Sequence, residues 1–289
     1  MDNQGDVREF LATRRAKITP ERAGLPNFGG TRRVAGLRRA EVAMLAGVSP
    51  DYYTRLERGN LSGVSDSVLD AIARALQLDD AERSHLHDLA RAANTSPRAR
   101  RRPVKQQIRP GVQSLLDAMT DAPAFVRNGR LDILAINPLG QALYSPAFVS
   151  HVRPANLARY CFLNPTAEEF YPDWGDAADT TVNLLRTEAG RDPYNKDLTD
   201  LIGELATRSD DFRTRWAAHN VRLHHTGVKH FHHPAIGRLD LAFEAMPLPA
   251  DPGLTLTAYS AEAGTATHDA LRLLASWAVT TVATTPADQ

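Results

Sequence analysis

The stretch that most constrains the fold comprises residues 38–59 and reads RRAEVAMLAGVSPDYYTRLERG. Small and apolar residues recur in it at the three- and four-residue spacing that places side chains on one face of a helix. Gly47 supplies the permissive backbone that a tight turn needs, and Ala43 is small enough for two helices to cross closely. We therefore predict two short helices joined at Gly47 and Val48, which is the helix-turn-helix arrangement. The residues predicted to face the shared core are Val42, Ala46, Val48, Tyr53 and Leu56.

The second helix of this pair carries the side chains that could read DNA. Ser49 is a good N-cap, Pro50 suits the first helical position, and Gly59 can end the helix. With Tyr53 and Leu56 turned inward, the opposite face presents four polar side chains. These are Asp51, Tyr52, Arg55 and Arg58. The pattern predicts a recognition helix over residues 50–58, suited to the major groove of DNA.

The first helix begins with an unusual residue. Arg38 stands at the N-cap position, where Ser, Thr, Asp or Asn is preferred, and Arg39 follows it. Both residues place positive charge at the end of the helix where the helix dipole disfavours it. A DNA phosphate bound by the two guanidinium groups and the helix N–H groups would compensate for both faults. Arg38 and Arg39 are therefore predicted phosphate contacts.

The run AEVAMLAGVSPDYYTRLERGN resembles the lambda-repressor-like, Xre-type DNA-binding domains. The resemblance implies a compact helical cluster, and two later signals for helix starts agree with it. Ser65 can cap one helix, and Asp79 with Glu82 forms a capping-box pattern before another. A long segment at residues 17–36, rich in Gly, Pro and Arg, departs from the family. The predicted DNA contacts are Arg32 and Arg33 in this segment, and Arg38, Arg39, Ser49, Asp51, Tyr52, Arg55 and Arg58.

The net charge of zero conceals two regions of opposite sign. Residues 1–107 contain 19 Lys and Arg against 13 Asp and Glu, whereas residues 108–289 contain 15 against 21. A basic front favours double-stranded DNA as the partner of the N-terminal region. The arginines around residue 100 are either a solvated connector or an arm that adds phosphate contacts. The predicted organisation is a DNA-binding domain at 1–93, a basic linker at 94–107, a second domain at 108–277 and a frayed tail at 278–289.

Cysteine content and hydropathy bound the compartment. The lone Cys161 excludes an intramolecular disulfide and a multi-cysteine metal site. The sequence has no apolar run of about 18 residues, and charges interrupt the apolar stretch near its N-terminus. These features predict a cytoplasmic protein that does not insert into a membrane.

Beyond residue 108 the sequence alternates between strand and helix patterns. The two strands of the first pair are joined at Asn128-Gly129, which is typical of a hairpin turn. The predicted elements are a helix at 112–119, strands at 124–128 and 130–137, helices around 173–190 and 209–221, strands at 221–233, 237–248 and 254–261, and a helix near 267–277. This order indicates an α+β, PAS-like domain. The predicted fold is therefore multidomain: an all-α lambda-repressor-like domain followed by an α+β PAS-like ligand-binding domain.

Several segments of this region are similar to the ligand-binding domain of MmyB-like transcriptional regulators. They are RLDILAINPLG, NLARYCFLNP, YPDWGD, RWAAHNV, GVKHFHHPAIGRLDLAFEAMPLP and LRLLASW. The resemblance implies a bacterial transcription factor whose C-terminal domain holds a small hydrophobic, fatty-acid-like molecule. Asn220 follows His219 where the family usually has aspartate, which weakens any charge-dependent role there.

An aromatic stripe marks a candidate binding face. Phe212, Trp216 and His219 recur at helical spacing, so they share one face of a helix. Such a stripe is either ordinary core or the lining of a pocket, and both interpretations stand at this point. A polar head group could bind Arg130 or His219. The predicted ligand-binding residues are Arg130, Leu134, Asn137, Leu185, Phe212, Trp216, His219, Phe231 and Leu241. No cofactor is predicted apart from such a lipid.

Two other classes of protein are alternatives. Five histidines, His224, His225, His230, His232 and His233, raise the possibility of a zinc-dependent hydrolase. Their spacing matches no helical H-E-x-x-H pattern, so we predict no metal site and no enzyme activity. The second alternative is a sensor that carries haem or flavin. A single small helix-turn-helix reads too few base pairs to find a genomic site, which predicts a homodimer.

Overall fold

The computed structural model of the 289-residue protein describes residues 3–25, 34, 36–94, 107–149, 154–218 and 225–284, with side chains up to 277. The chain divides into two compact units. The first comprises the described residues of 1–102 together with 186–206 and 213–218. The second comprises those of 103–185, 207–212 and 225–284.

The first unit contains the five N-terminal helices α1 (Asn3–Lys17), α2 (Arg39–Ala46), α3 (Pro50–Glu57), α4 (Asp66–Ala75) and α5 (Asp80–Asn94). They enclose one apolar core in which Phe10, Leu11, Leu37 and Tyr53 are almost fully buried. The predicted helix-turn-helix, and the all-α class of this region, are confirmed.

The two predicted caps after the helix-turn-helix differ. The capping box is confirmed, because the Glu82 N–H donates to Asp79 Oδ1 at 2.8 Å and the Asp79 N–H donates to Glu82 Oε2 at 3.2 Å. Ser65 occupies the N-cap of α4, but its side chain makes no capping hydrogen bond there. Its hydroxyl lies 3.0 Å from the hydroxyl of Ser67 instead. The position of this cap was predicted correctly, and its hydrogen bond was not.

The second unit is built on a five-stranded antiparallel sheet in the order β2-β1-β5-β4-β3. The order predicted from the sequence, two strands, helices, three strands and a helix, is confirmed. The strands are β1 (Ala124–Asn128), β2 (Ile133–Ile136), β3 (Thr226–His233), β4 (Gly237–Pro247) and β5 (Leu254–Ser260). The helices outside the 174–217 segment are α6 (Pro110–Ala118), α7 (Pro138–Leu143), α8 (Leu157–Leu163), α9 (Ala167–Phe170) and α13 (Ala266–Thr284).

The two faces of the sheet bury different side chains. On one face, Val112 and Leu116 of α6 pack with Val126 and Leu256 of the sheet. The other face carries a larger cluster that is rich in aromatic rings. It includes Phe125, Tyr144, Tyr160, Phe170, Tyr171, Phe231 and Tyr259. We call it the aromatic face.

Three helices lie between residues 174 and 217: α10 (Trp174–Arg191), α11 (Lys196–Arg208) and α12 (Asp210–Ala217). The sequence analysis predicted α10 and α12 but missed α11. The missed helix has a clear signature, because Leu198, Leu201, Ile202 and Leu205 are buried at helical spacing. Asn195 also caps it by accepting from the Leu198 N–H at 3.1 Å. Within the described part of the chain, no helix is long and apolar enough to cross a membrane.

Candidate DNA-binding and ligand-binding sites

The turn between α2 and α3 has the predicted geometry. Gly47 adopts a left-handed conformation with φ of 66°, which an L side chain rarely tolerates. The Val48 N–H donates to the Ala43 carbonyl at 2.9 Å. Ser49 then caps α3, because its hydroxyl accepts from the Tyr52 N–H at 3.1 Å. The local sequence therefore fixes both the end of α2 and the start of α3.

The outward face of α3 brings the predicted recognition residues together. Asp51, Arg55 and Arg58 are exposed, and Tyr52 is half-buried against the helical core. The guanidinium carbon of Arg55 lies 4.8 Å from the centre of the Tyr52 ring. This cation–π contact restrains the arginine side chain without removing its hydrogen-bond donors from solvent.

A buried carboxylate that the sequence analysis missed joins three helices of the same domain. Glu57 at the end of α3 is 1% exposed. Arg15 of α1 donates to both of its oxygens at 2.9 and 2.8 Å. Arg39 of α2 donates to Oε1 at 3.2 and 3.1 Å. Burial raises the pKa of Glu57, but hydrogen bonds and charges from the two arginines lower it more in sum, so the pKa lies below its ordinary value.

The Arg15–Glu57–Arg39 triad changes the interpretation of the start of α2. Arg39 uses two donor contacts on Glu57, yet its side chain remains 49% exposed. Glu41 accepts from the Arg38 N–H at 2.6 Å, so one helix-start N–H has an internal anionic partner. The expectation that α2 needs an outside anion to compensate for its start was therefore wrong, because residues 41 and 57 supply carboxylates. Arg32 and Arg33 lie outside the described residues.

Two of the predicted ligand-binding residues hold the fold around the β1–β2 hairpin. Arg130 forms an ion pair with Asp132 at 2.9 Å. Asn137 accepts from the N–H groups of Ala124 (3.0 Å) and Gly140 (2.7 Å) and also donates to two carbonyls. Because Asn137 is 1% exposed, these four bonds use its hydrogen-bonding groups within the protein.

The predicted apolar lining is only partly brought together. Phe231 and Leu241 are fully buried on the aromatic face. Leu134 packs instead with the α6 cluster on the opposite face. The cause is a register shift: Val126 pairs with Ala135 and Arg127 with Ile133, so Leu134 is an extra, unpaired residue that ends the simple alternation of faces. Leu185 of α10 and Phe212 of α12 are also fully buried.

The aromatic stripe of α12 divides between two environments. The Phe212 ring lies edge-on to Phe162 with centroids 5.1 Å apart. Trp216 belongs to the first unit, where its ring lies 4.1 Å from the guanidinium carbon of Arg186 and its carbonyl accepts from Arg186. His219 lies outside the residues that the structure describes.

Two basic side chains that the sequence analysis missed belong to the aromatic face. Lys229 lies two residues before Phe231 on β3, so the two side chains point to the same face. Arg127 lies two residues after Phe125 on β1 and pairs with Thr255 of β5. A signal was available: in GVKHFHH every second residue points inward, so a lysine occupies an inward position.

The histidines do not converge within the described chain. His230 lies 2.6 Å from Asp240 on the surface of the sheet, whereas His233 is buried and lies 3.0 Å from the Ala142 carbonyl. Burial lowers the pKa of His233. Among described residues, no group of three His, Cys, Asp or Glu side chains could hold a metal ion. His224 is not among them.

Comparison with known families agrees with the two-part organisation. Residues 108–274 match the family described as the MmyB-like transcription regulator ligand binding domain. Residues 12–86 match a helix-turn-helix domain family. No curated protein matches the chain.

Proposed function

The chain belongs to the family of MmyB-like transcription regulators, and from this premise we propose that it is a sequence-specific DNA-binding regulator whose C-terminal domain senses a small hydrophobic, fatty-acid-like molecule. The family matches are to regulator domains, so the chain combines a helix-turn-helix domain with a ligand-sensing domain. The proposal adds which side chains contact DNA, what class of ligand binds and in what oligomeric state the protein acts.

The exposed face of α3 carries the DNA part of the proposal. Arg55 is exposed, is restrained by Tyr52 and follows a capped helix start, so its donors are available for the edge of a guanine. Arg38 and the exposed part of Arg39 are suited to phosphate contacts beside it. In this arrangement Arg39 shares its guanidinium between Glu57 and DNA, which fixes its position before DNA binds.

To test the proposed DNA contacts, the preferred operator of the full-length protein is first selected from random DNA. Arg55→Ala should weaken binding to that operator by about 1–3 kcal/mol and relax the preference at one base pair. Arg74→Ala, an exposed arginine of α4, is the matched control and should keep the preference. Unchanged specificity in a folded Arg55→Ala protein would overturn the placement of the recognition helix.

The ligand part of the proposal is supported by the apolar, aromatic side chains between the sheet and its helices. An acyl chain gains about 0.8 kcal/mol for each methylene transferred from water, so about ten carbons could offset the cost of ordering the ligand. A charge introduced at Phe212, which is fully buried, should oppose this binding. Organic extraction of the purified protein followed by mass spectrometry should identify a lipid, whereas extraction of none would count against this class of ligand.

A homodimer is proposed from the size of the DNA-binding domain. One small helix-turn-helix contacts few base pairs, and two copies related by a twofold axis would read a pseudo-palindrome. Half-sites one helical turn apart, or a multiple of it, are the expected footprint. A single half-site with one chain per duplex by native mass spectrometry would contradict the dimer.

A further inference from the structure

Lys229 occupies an unusual place in the sheet. In strand β3, Phe231 and His233 are buried, and Lys229 and His230 are half-buried. Lys229 pairs with Leu241 of β4, and directly paired residues share a face. Phe231 and Leu241 belong to the aromatic face, so the lysine also points there.

The surroundings of Lys229 are apolar rings rather than carboxylates. Its ammonium nitrogen lies 4.8 Å from the centre of the Tyr171 ring and 5.7 Å from that of Phe231. Within the described part of the chain, this nitrogen forms no ion pair and no hydrogen bond with a carboxylate. Burial lowers the pKa of Lys229 to about 8; Cys161 opposes this shift, and the positive charge of Arg127 adds to it. The protein thus holds an ammonium group where its charge is disfavoured.

A second basic side chain and two tyrosine hydroxyls lie on the same face of the sheet as Lys229. Arg127 lies on the same face as Phe125, because the two residues are two positions apart on β1 and pair in regular register with Thr255 and Thr257 of β5. Its positive charge acts on both Lys229 and the Tyr259 hydroxyl. The hydroxyls of Tyr144 and Tyr259 lie 2.6 Å apart. The aromatic face therefore carries two basic side chains and two tyrosine hydroxyls.

We propose that Lys229, reinforced by the positive charge of Arg127, binds the carboxylate head group of the proposed fatty-acid-like ligand. This inference rests on the proposed ligand-sensing function and specifies its chemistry. The aromatic rings of Tyr171 and Phe231 hold the ammonium before the ligand arrives, and the carboxylate then supplies its counter-charge.

The head-group position differs from the two candidates chosen from the sequence. Arg130 is paired with Asp132, so a ligand carboxylate there would compete with a protein carboxylate. His219 is outside the described residues. Within the described part of the chain, Lys229 differs from Arg130 because no carboxylate pairs with it, and the positive charge of Arg127 acts on it. A ligand carboxylate at Lys229 would supply a counter-charge that no described carboxylate supplies, which makes binding there more favourable than at an already paired arginine.

The test compares two probes of equal length, decanoate and 1-decanol, on lipid-stripped full-length protein at pH 7. The probes share the apolar tail and differ in the charge of the head group. The variants are Lys229→Gln and Lys229→Met, which remove the charge, and Lys229→Arg, which keeps it. Lys196→Gln is the matched control, because Lys196 is exposed and pairs with Asp200 on α11. Affinities are measured by calorimetry, and thermal unfolding checks that each variant is folded.

Wild type should bind decanoate roughly 10- to 100-fold more tightly than 1-decanol, as expected for a charge-assisted contact. Either neutral variant should remove that preference while leaving 1-decanol affinity within about twofold, because only the head-group contact is lost. Lys229→Arg should recover most of the preference, and Lys196→Gln should behave as wild type.

Equal affinities of wild type for the two probes, or an unchanged preference in a folded neutral variant, would overturn the inference. The proposed hydrophobic site would survive that result, since both probes would still bind. If wild type bound neither probe, the proposed ligand class itself would fail, and the head-group assignment would fail with it. If the neutral variants do not fold, the wild-type comparison still tests the inference, because equal affinities of wild type for decanoate and 1-decanol would overturn it.

Discussion

The helix-turn-helix and the five-stranded sheet differ in how far apart in sequence their proposed functional side chains lie. In the helix-turn-helix, Gly47, Ser49 and Arg55 fall within nine residues, and local hydrogen bonds fix their positions. In the C-terminal domain, Lys229 of β3 lies 4.8 Å from the ring of Tyr171 after α9 and is acted on by Arg127 of β1, so these groups come from widely separated elements. Caps and turns therefore fix side-chain positions through nearby residues, whereas strand register fixes them only through pairing with distant residues.

The Arg15–Glu57–Arg39 triad is a non-local contact within the helical domain. Its loss should cause the largest decrease in stability among the predicted effects. Glu57→Ala should lower the free energy of unfolding of the helical domain by about 3–5 kcal/mol, because it leaves two arginines around an empty carboxylate site. Glu41→Ala, whose carboxylate accepts a single helix-start N–H, should cost only about 1 kcal/mol. Chemical denaturation measures both.

The same carboxylate predicts a pH dependence. Because the pKa of Glu57 is lowered in the folded protein, its stabilising contribution is present above the ordinary pKa of glutamate and is lost as the pH falls toward the lowered value. A folded Glu57→Gln protein should lack this part of the acid-induced loss. Equal pH dependence in wild type and variant would show that the triad does not couple protonation to stability.

Asn137 is the corresponding non-local contact in the C-terminal domain. Asn137→Ala should lower the free energy of unfolding by about 2–3 kcal/mol, because two buried N–H groups and two carbonyls lose their partner. Asn164→Ala is the control; its side chain accepts only from exposed groups of Thr166, and it should cost less than about 1 kcal/mol. Loss of ligand affinity with unchanged stability would instead assign Asn137 to the binding site.

The smallest effect compares two serines in the same position of two helices. Ser49→Ala should cost about 1 kcal/mol, because the hydroxyl caps the Tyr52 N–H. Ser65→Ala should cost nearly nothing, because the side chain makes no capping bond. Equal losses in thermal unfolding of the two variants would mean that residue type at the N-cap, and not the observed hydrogen bond, determines stability.

The sequence predicted the two helices of the helix-turn-helix and the order of the strands. Periodicity, the Gly47 turn and the Ser49 cap are local signals, so the two helices and their outward face followed from about twenty residues. The extra residue Leu134 in β2 could not be predicted, since its face depends on pairing with β1. Glu57 was missed for a similar reason: its two arginine partners are 18 and 42 residues away in sequence. Lys229 was overlooked although the alternation of β3 contained the signal.

The central claim is that ligand occupancy in the C-terminal domain changes the affinity for DNA. The most direct measurement is the affinity of full-length protein for its selected operator after lipid stripping and again after saturation with decanoate. A regulator of this kind should show a change of roughly fivefold or more, and DNA should change decanoate affinity by the same factor, because coupling is reciprocal. Identical operator affinity for the stripped and the saturated protein, with decanoate bound, would contradict the claim.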